Sequence, residues 1–295
     1  MAETKPINPV VSGLRAPLSA GLAGREFAFS LADFERVRQL IYQHAGISLS
    51  PIKQDMVYSR LARRLRATGM TSFAAYLDAL ETDKGDEWER FVNSLTTNLT
   101  SFFREPHHFP IFAEHLRRIG SKRPIRIWCS AASTGEEPYS IAMTVAETFG
   151  ADTSHVSIIA SDLDTHVLAT AEKGVYPLER VEKLTPEQLR KFFLRGTGGQ
   201  EGFVSVRPEL RRMVSFLRIN LLDASYAVKG PLDVIFCRNV MIYFDRPTQY
   251  KILSRFAPMM QPDGLMFAGH SESFMHAANL FKSQGKTVYT LASAP

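Results

Sequence analysis

Four short polar groups carry the chemistry open to this chain, and each lies where an apolar run ends. In IRIWCSAASTGEEPYS, residues 125–140, a buried strand at Ile125–Cys129 meets a loop of small residues, Ser130 to Gly135. Glu136-Glu137-Pro138 follows. Proline is tolerated in a helix's first turn and acids complement its positive end, so a helix opens there. Strand, small-residue turn and helix is the geometry that lets backbone approach a nucleotide. GxGxxG spacing is absent, so this loop alone reads equally as an ordinary strand–helix turn. The second group ends the run VSIIA: Ser161-Asp162-Leu163-Asp164. An acid at the tip of a second strand is where Rossmann-like folds grip ribose hydroxyls, and a helix-capping aspartate is the competing reading. Two acids in three residues allow one of each. The third group, Arg238-Asn239 with Tyr243 beyond it, follows LDVIFC at 232–237. Polar residues at a carboxyl strand tip face the ligand crevice of an open α/β sheet. The fourth is the connector TTNLTSFFREP, 96–106, in which Thr97, Asn98 and Thr100 precede Phe102-Phe103 and Arg104. An arginine placed there can close over a ligand carboxylate, against the plainer reading of a linker.

The elements that must hold these groups divide in two. Residues 27–95 read as an all-α N-terminal domain. Ser30 and Asp33 form a capping box, Phe34, Val37, Leu40 and Ile41 recur at helical spacing, and Gly46 is a stop. A second helix, about 53–68, carries Met56, Val57, Leu61 and Leu65 inward and ends at Gly69. Its other side bears Arg60, Arg63, Arg64 and Arg66. An unbalanced cationic face binds carboxylate-rich surfaces, so this helix is expected to dock an acidic partner. Two further helices are marked by Phe73, Tyr76, Leu77 and Leu80, and by Trp88, Phe91, Val92 and Leu95. Residues 96–108 form a linker that contributes to the site. From 109 to 295 strands and helices alternate, which predicts a Rossmann-like α/β domain closed by an antiparallel hairpin near Phe281 and 286–291. A glycine-rich stretch interrupts the rhythm, and about 190–218 is expected to be a small antiparallel β insertion that includes Val214–Arg218. Its glycines lack the following helix and Lys-Ser/Thr of a phosphate cradle.

The 295 residues, 45% apolar, suffice for a full-sized core. No run approaches the ~20 apolar residues of a membrane span. Residues 1–26, rich in Pro, Gly, Ala and Ser, read as a mobile tail without a signal-type apolar core. Cys129 and Cys237 sit in apolar runs and read as reduced, buried thiols, which places the protein in the cytoplasm. No Cys/His spacing fits a zinc site, and no metal is expected. The net charge of +5 and pI near 9.2 point to an acidic partner.

Taken together, TTNLTSFFRE, AASTGEEPYS, ASDLDT, INLL, FCRNVMIYF and PDGLMFAGHSE resemble the bacterial chemotaxis receptor methyltransferases, the CheR family. The match runs from about residue 28 to 291, and six motifs in order make it specific. The resemblance implies an S-adenosylmethionine-dependent protein-glutamate O-methyltransferase, leaving S-adenosylhomocysteine and glutamyl methyl esters on chemoreceptors. It places Asn98, Thr100, Arg104, Glu137, Asp162, Asn220, Leu221, Arg238 and Asn239 at the cofactor, with Arg104 on its carboxylate, Asp162 on the ribose, and Asn220 and Leu221 near the adenine. Tyr243 matches a family tyrosine near the transferred methyl, so Tyr243, Arg104 and Arg238 are the candidate catalytic residues. The insertion is similar to those of members that bind a receptor C-terminal peptide by strand addition. The implied partners are the acidic methylation helices of receptors. The membrane is reached only through the receptor, and a monomer is expected.

Glutamate, with a pKa of about 4.3, is already ionised near neutral pH, so the implied displacement needs no general base. It needs alignment and exclusion of water, which can supply roughly 7 kcal/mol or more. Carboxylate and sulfonium become neutral, so a cation pinned to the attacking oxygen stabilises the ground state more than the transition state. Arg104 therefore suits a cofactor anchor and Tyr243 an orienting hydrogen bond, while Arg238 suits either task. A nucleic-acid methyltransferase is disfavoured because no Pro-Pro follows Asn239, and a dehydrogenase because GxGxxG is missing. A non-catalytic module that binds cofactor or receptor only is the other rival.

Overall fold

The computed structural model describes residues 25–82, 85–96 and 98–292. The expected tail lies outside the described residues up to position 24. Its last two residues are held: Arg25 pairs with Asp55 and lies 4.5 Å over the Tyr58 ring, and Glu26 pairs with Arg66.

Helix α1 (Leu31–Ala45) opens on the expected capping box. Ser30 Oγ accepts from the Asp33 N–H, and the Asp33 carboxylate accepts from the Ser30 N–H. Phe34, Val37, Leu40 and Ile41 share its buried face. The helix ends at Gly46, where φ is +68° and a Cβ would lie 2.8 Å from the Leu222 side chain. Helix α2 (Gln54–Thr68) buries Val57, Leu61 and Leu65. Its Met56 is only half-buried, because it turns toward the cleft described below. Helices α3 (Phe73–Thr82) and α4 (Asp86–Leu95) complete one apolar cluster with Tyr76 and Phe91 at its centre.

The connector leads into α5 (His108–Ile119), β1 (Ile125–Cys129), α6 (Glu136–Phe149), β2 (Val156–Asp162), α7 (Thr165–Lys173) and β3 (Val175–Pro177). Then come α8 (Pro186–Phe192), β4 (Phe193–Arg195), β5 (Phe203–Val206), α9 (Pro208–Arg211) and β6 (Val214–Arg218). The chain closes with β7 (Leu232–Cys237), α10 (Arg246–Phe256), β8 (Met260–Ala268), β9 (Phe281–Ser283) and β10 (Val288–Leu291). Seven strands form one sheet in the order β6-β2-β1-β7-β8-β10-β9. The first five are parallel, and β10 runs antiparallel between β8 and β9. Strand β7 is buried throughout and β1 everywhere but Arg126, which is why both read as apolar runs. The strand order reverses between β1 and β7, so the crevice at their carboxyl ends is the topological switch point.

Two expectations need correction. Val214–Arg218 does not belong to the insertion: it is β6, the edge of the main sheet, in parallel register with β2 from Val214 opposite Ile158 to Arg218 opposite Asp162. The insertion is the antiparallel sheet β3-β5-β4, which spans 175–206 rather than 190–218. An apolar run does not say which sheet it joins, and three residues ending in proline show no alternation to read. Pro262-Asp263-Gly264, read as a turn, lies inside β8, where the register against β7 slips and the extra residues bulge. No helix of the described residues is long and apolar enough to cross a membrane.

Candidate active site

A cleft opens between the carboxyl ends of β1, β2 and β7, the connector, and the side of α1 and α2 that faces them. Asn98, Thr100, Arg104, Glu137, Asp162, Asn220, Leu221, Arg238, Asn239 and Tyr243 all line it. The helical unit adds Ala45, Ile47, Leu49, Lys53 and Met56, a wall that sequence reasoning did not foresee. Long-range bonds hold this wall in place. The Tyr42 hydroxyl donates to Asp245 at 2.7 Å, the Ser48 N–H to the Tyr243 carbonyl at 2.8 Å, and Asn220 Nδ2 to the His44 carbonyl at 2.9 Å. The Asn220 side chain, expected near an adenine, is thus committed between the two halves of the protein.

The loop after β1 is shaped for close approach. Ser133 has φ of +48° and Gly135 of +99°, and a Cβ on Gly135 would meet the Tyr176 hydroxyl at 2.6 Å and Ala171 Cβ at 2.8 Å. Tyr176, on β3, donates to the Thr134 carbonyl at 2.8 Å, so the insertion braces the loop. Asp162 accepts from the Ser133 N–H at 2.8 Å and the Asp164 N–H at 3.0 Å. Burial pushes its carboxyl pKa up, against these backbone bonds. Asp164 caps α7 by accepting from the His166 and Val167 N–H groups. Its other oxygen accepts from Thr96 at 3.1 Å and Asn98 Nδ2 at 2.9 Å, which pins the connector to the tip of β2. Thr97 lies outside the described residues.

At the tip of β7, Arg238 turns inward. It donates to Glu137 at 2.7 Å and to the Arg104 carbonyl, and lies 3.3 Å from Glu105. Glu137, at the start of α6, is buried, which raises its pKa, and the Arg238 charge opposes that rise. Glu105 also accepts from the His270 N–H at 3.1 Å, His270 Nδ1 at 3.0 Å and Asn239 Nδ2 at 3.2 Å. Burial pushes Glu105 up, but the His270 bonds, Arg238 and Asn239 outweigh it and hold the carboxyl at about 2. Phe103 and Glu105 both have positive φ, +48° and +54°, so this network holds the connector in a backbone state that costs of order 1–3 kcal/mol per residue. Arg104, between them, spends one N–H on the Leu99 carbonyl at 2.7 Å and otherwise borders the cleft. Tyr243 is half-buried, with Lys53 Nζ 5.8 Å from its ring. Glu272, also buried, accepts from the Asn239 N–H at 2.9 Å, the Ile242 N–H at 3.3 Å and the Gly269 N–H. Sequence reasoning passed over Glu105 and Glu272. Their signal was an acid at the end of each of two quoted motifs, SFFRE and GHSE.

The arginines of α2 do not form one free face. Arg60 donates to the carbonyls of Leu95 and Thr96, and Arg64 makes a two-pronged pair with Glu87. Arg66 pairs with Glu26 at an exposed position, and Arg63 is exposed. Both cysteines are buried free thiols. Glu105, His107 and His108 bring ligand-type atoms within 4.8 Å of one another, but the Glu105 carboxylate is already committed to Arg238, His270 and Asn239.

A sheet of this order, with a cleft at its switch point and an acid at the tip of β2, defines a Rossmann-like α/β domain that binds a nucleoside-bearing cofactor, and the family match makes it an S-adenosylmethionine-dependent methyltransferase. Residues 98–290 match the family described as CheR methyltransferase, SAM binding domain, and residues 32–96 match the CheR methyltransferase all-alpha domain. The chain belongs to the CheR methyltransferase family. It is 56% identical over 266 residues to the "Chemotaxis protein methyltransferase" of Escherichia coli K12, covering 90% of this chain and 92% of that one. It is 54% identical over 269 residues to the protein of that name from Salmonella typhimurium, covering 91% and 93%. It is 53% identical over 269 residues to "Chemotaxis protein methyltransferase 2" of Pseudomonas aeruginosa, covering 91% and 96%. The cofactor is S-adenosylmethionine, and the cleft's chemistry fits it: a guanidinium for a carboxylate, a carboxylate for hydroxyls, and apolar Ile219 and Leu221 for a flat base.

Proposed function

We propose that this chain methylates glutamate side chains of chemoreceptors, giving γ-glutamyl methyl esters, as a protein-glutamate O-methyltransferase of chemotactic adaptation in the cytoplasm. The names of its relatives support this reading. The observation that carries it is that Arg104, Asp162 and Tyr243, far apart in sequence, border one cleft.

When bound, the cofactor supplies an electrophilic methyl on a sulfonium. Arg104 keeps donors for the cofactor carboxylate, and Asp162 keeps lone pairs for ribose hydroxyls beyond the two backbone bonds it accepts. Leu221 packs near the base. The acceptor glutamate enters ionised, since its pKa is about 4.3. The Tyr243 hydroxyl orients it with a neutral hydrogen bond, and the half-buried Met56 and Val240 line the cleft as its apolar wall. Arg238 borders the cleft with its side chain buried and its charge spent on Glu137 and Glu105, so it does not pin the attacking oxygen. Glu137, Asn239 and Arg238 thus act as framework, and Asn98 and Asn220 as fastenings of the connector and the helical wall. Thr100 borders the cofactor.

The domain division follows: a helical unit at 27–95, a connector at 96–108 and the methyltransferase domain at 109–295. The acidic receptor helix docks on α2 through Arg63 and Arg66, with Arg60 and Arg64 holding that helix in shape. A receptor tail peptide adds to an edge of the sheet β3-β5-β4, and the chain acts as a monomer. Incubation with tritiated S-adenosylmethionine and receptor-containing membranes tests the reading. Base-labile label on receptor glutamates is expected; label on nucleic acid, or none, refutes it.

A further inference from the structure

Two carboxylates outside the assigned site, Glu105 half-buried and Glu272 buried, each hold one bank of the cleft. Glu105 collects Arg238, Asn239 Nδ2, and the backbone N–H and ring Nδ1 of His270 on the connector side. Its carboxylate fixes the strained turn that carries Arg104. Glu272, 5% exposed, collects the N–H groups of Gly269, Asn239 and Ile242 on the other side. That carboxylate takes the place of a peptide ladder under residues 239–242, where Asn239 sits at φ +57° and no strand continues. The short helical turn bearing Tyr243 starts directly from this anchored segment. Gly269 is required there, since a Cβ would lie 2.3 Å from Asn239 Nδ2.

We propose that Glu105 and Glu272 are positioning residues with separate duties: Glu105 sets Arg104 for the cofactor, and Glu272 sets Tyr243 for the acceptor glutamate. This rests on the methyl-transfer reading above. The duties are separable because the two carboxylates share no partner atom: Asn239 gives its side chain to one and its backbone to the other. A glutamine at either position keeps the shape but loses the charge, and it offers an amide donor to groups that are themselves donors.

The test pairs E105Q with E272Q. Calorimetry with S-adenosylhomocysteine reads cofactor affinity without turnover, and steady-state methylation of receptor membranes at saturating cofactor reads kcat. E105Q is expected to weaken S-adenosylhomocysteine binding about tenfold or more, with kcat within about threefold, as for a lost charge-assisted network. E272Q is expected to leave that binding within about threefold and to lower kcat about tenfold or more. E105D and E272D, which keep the charge, should show the same split at smaller size, and they decide the matter if a glutamine variant does not fold. Equal losses of both parameters in each variant, or no loss in either, overturn the assignment. Wild-type labelling is run alongside. Its absence refutes glutamate methylation, whereas a missing split in a chain that labels refutes the positioning roles.

Discussion

Replacing Arg238 by methionine probes the network beneath the cleft. The Arg238 side chain is fully buried and 2.7 Å from Glu137, whose carboxylate is 8% exposed. Among the described residues, the other side chain that donates to Glu137 is the Cys129 thiol at 3.4 Å, a weak donor. Breaking a buried pair from one side costs about 3–5 kcal/mol, because the remaining charge is uncompensated. Against a total stability of about 5–15 kcal/mol, that is a large loss. Burial already raises the folded pKa of Glu137, and in the variant it rises further because the Arg238 charge no longer opposes burial. A group raised on folding contributes its stability below the unfolded pKa of about 4.3, and this is lost as pH climbs through the folded value. The penalty of R238M is therefore larger at pH 8 than at pH 5.5. The double variant R238M/E137L removes the orphaned charge and should recover about 2 kcal/mol or more of the loss at pH 8. Urea unfolding followed by the fluorescence of Trp128 in β1 and Trp88 in α4 reads all three proteins at both pH values. A single-variant penalty below about 1 kcal/mol at pH 8, or a double variant no more stable than the single, would show that the network does not bear on stability.

Further outcomes are expected. R104A and D162A should each weaken S-adenosylhomocysteine binding about 10- to 100-fold by calorimetry, the range for hydrogen bonds to charged groups, while Y243F keeps that affinity and slows turnover. Glu105, held at about 2 when folded against about 4.3 unfolded, contributes stability that is present above pH 4.3 and lost as pH falls toward 2. The stability gap between wild type and E105Q should accordingly narrow between pH 5 and pH 3 in acid titrations of the melting temperature. Charge reversal of Arg63 and Arg66 together should weaken receptor binding and flatten its salt dependence. Unchanged binding at low salt would remove α2 as the docking helix.

Much of this architecture was readable because its signals are local. The Ser30 capping box, the Gly46 and Gly69 stops, and the polar tips of β1, β2 and β7 each depend on residues a few positions apart. The cofactor and family expectations rested on motifs of the same kind. What escaped depends on partners far apart in the chain. Glu137 and Arg238 meet across 101 positions, and Asn220 reaches the His44 carbonyl across 176. Arg60 and Arg64 looked like a docking face because no sequence rule reveals that α4 packs beside them. Strand β3 is three residues long and exists because β5 pairs with it, so no window over 175–177 announces it. The carboxylates of Glu105 and Glu272 stood in quoted motifs, yet their task became visible only when the N–H groups they hold were in place.

The central claim is that cofactor and acceptor glutamate meet in the cleft walled by the connector, the strand tips and the helical unit. A crystal structure of this chain with S-adenosylhomocysteine tests it most directly. The account predicts the cofactor carboxylate on Arg104, the ribose on Asp162 and the sulfur open toward Tyr243. The product seated elsewhere, or with its sulfur closed off from Tyr243, would contradict it.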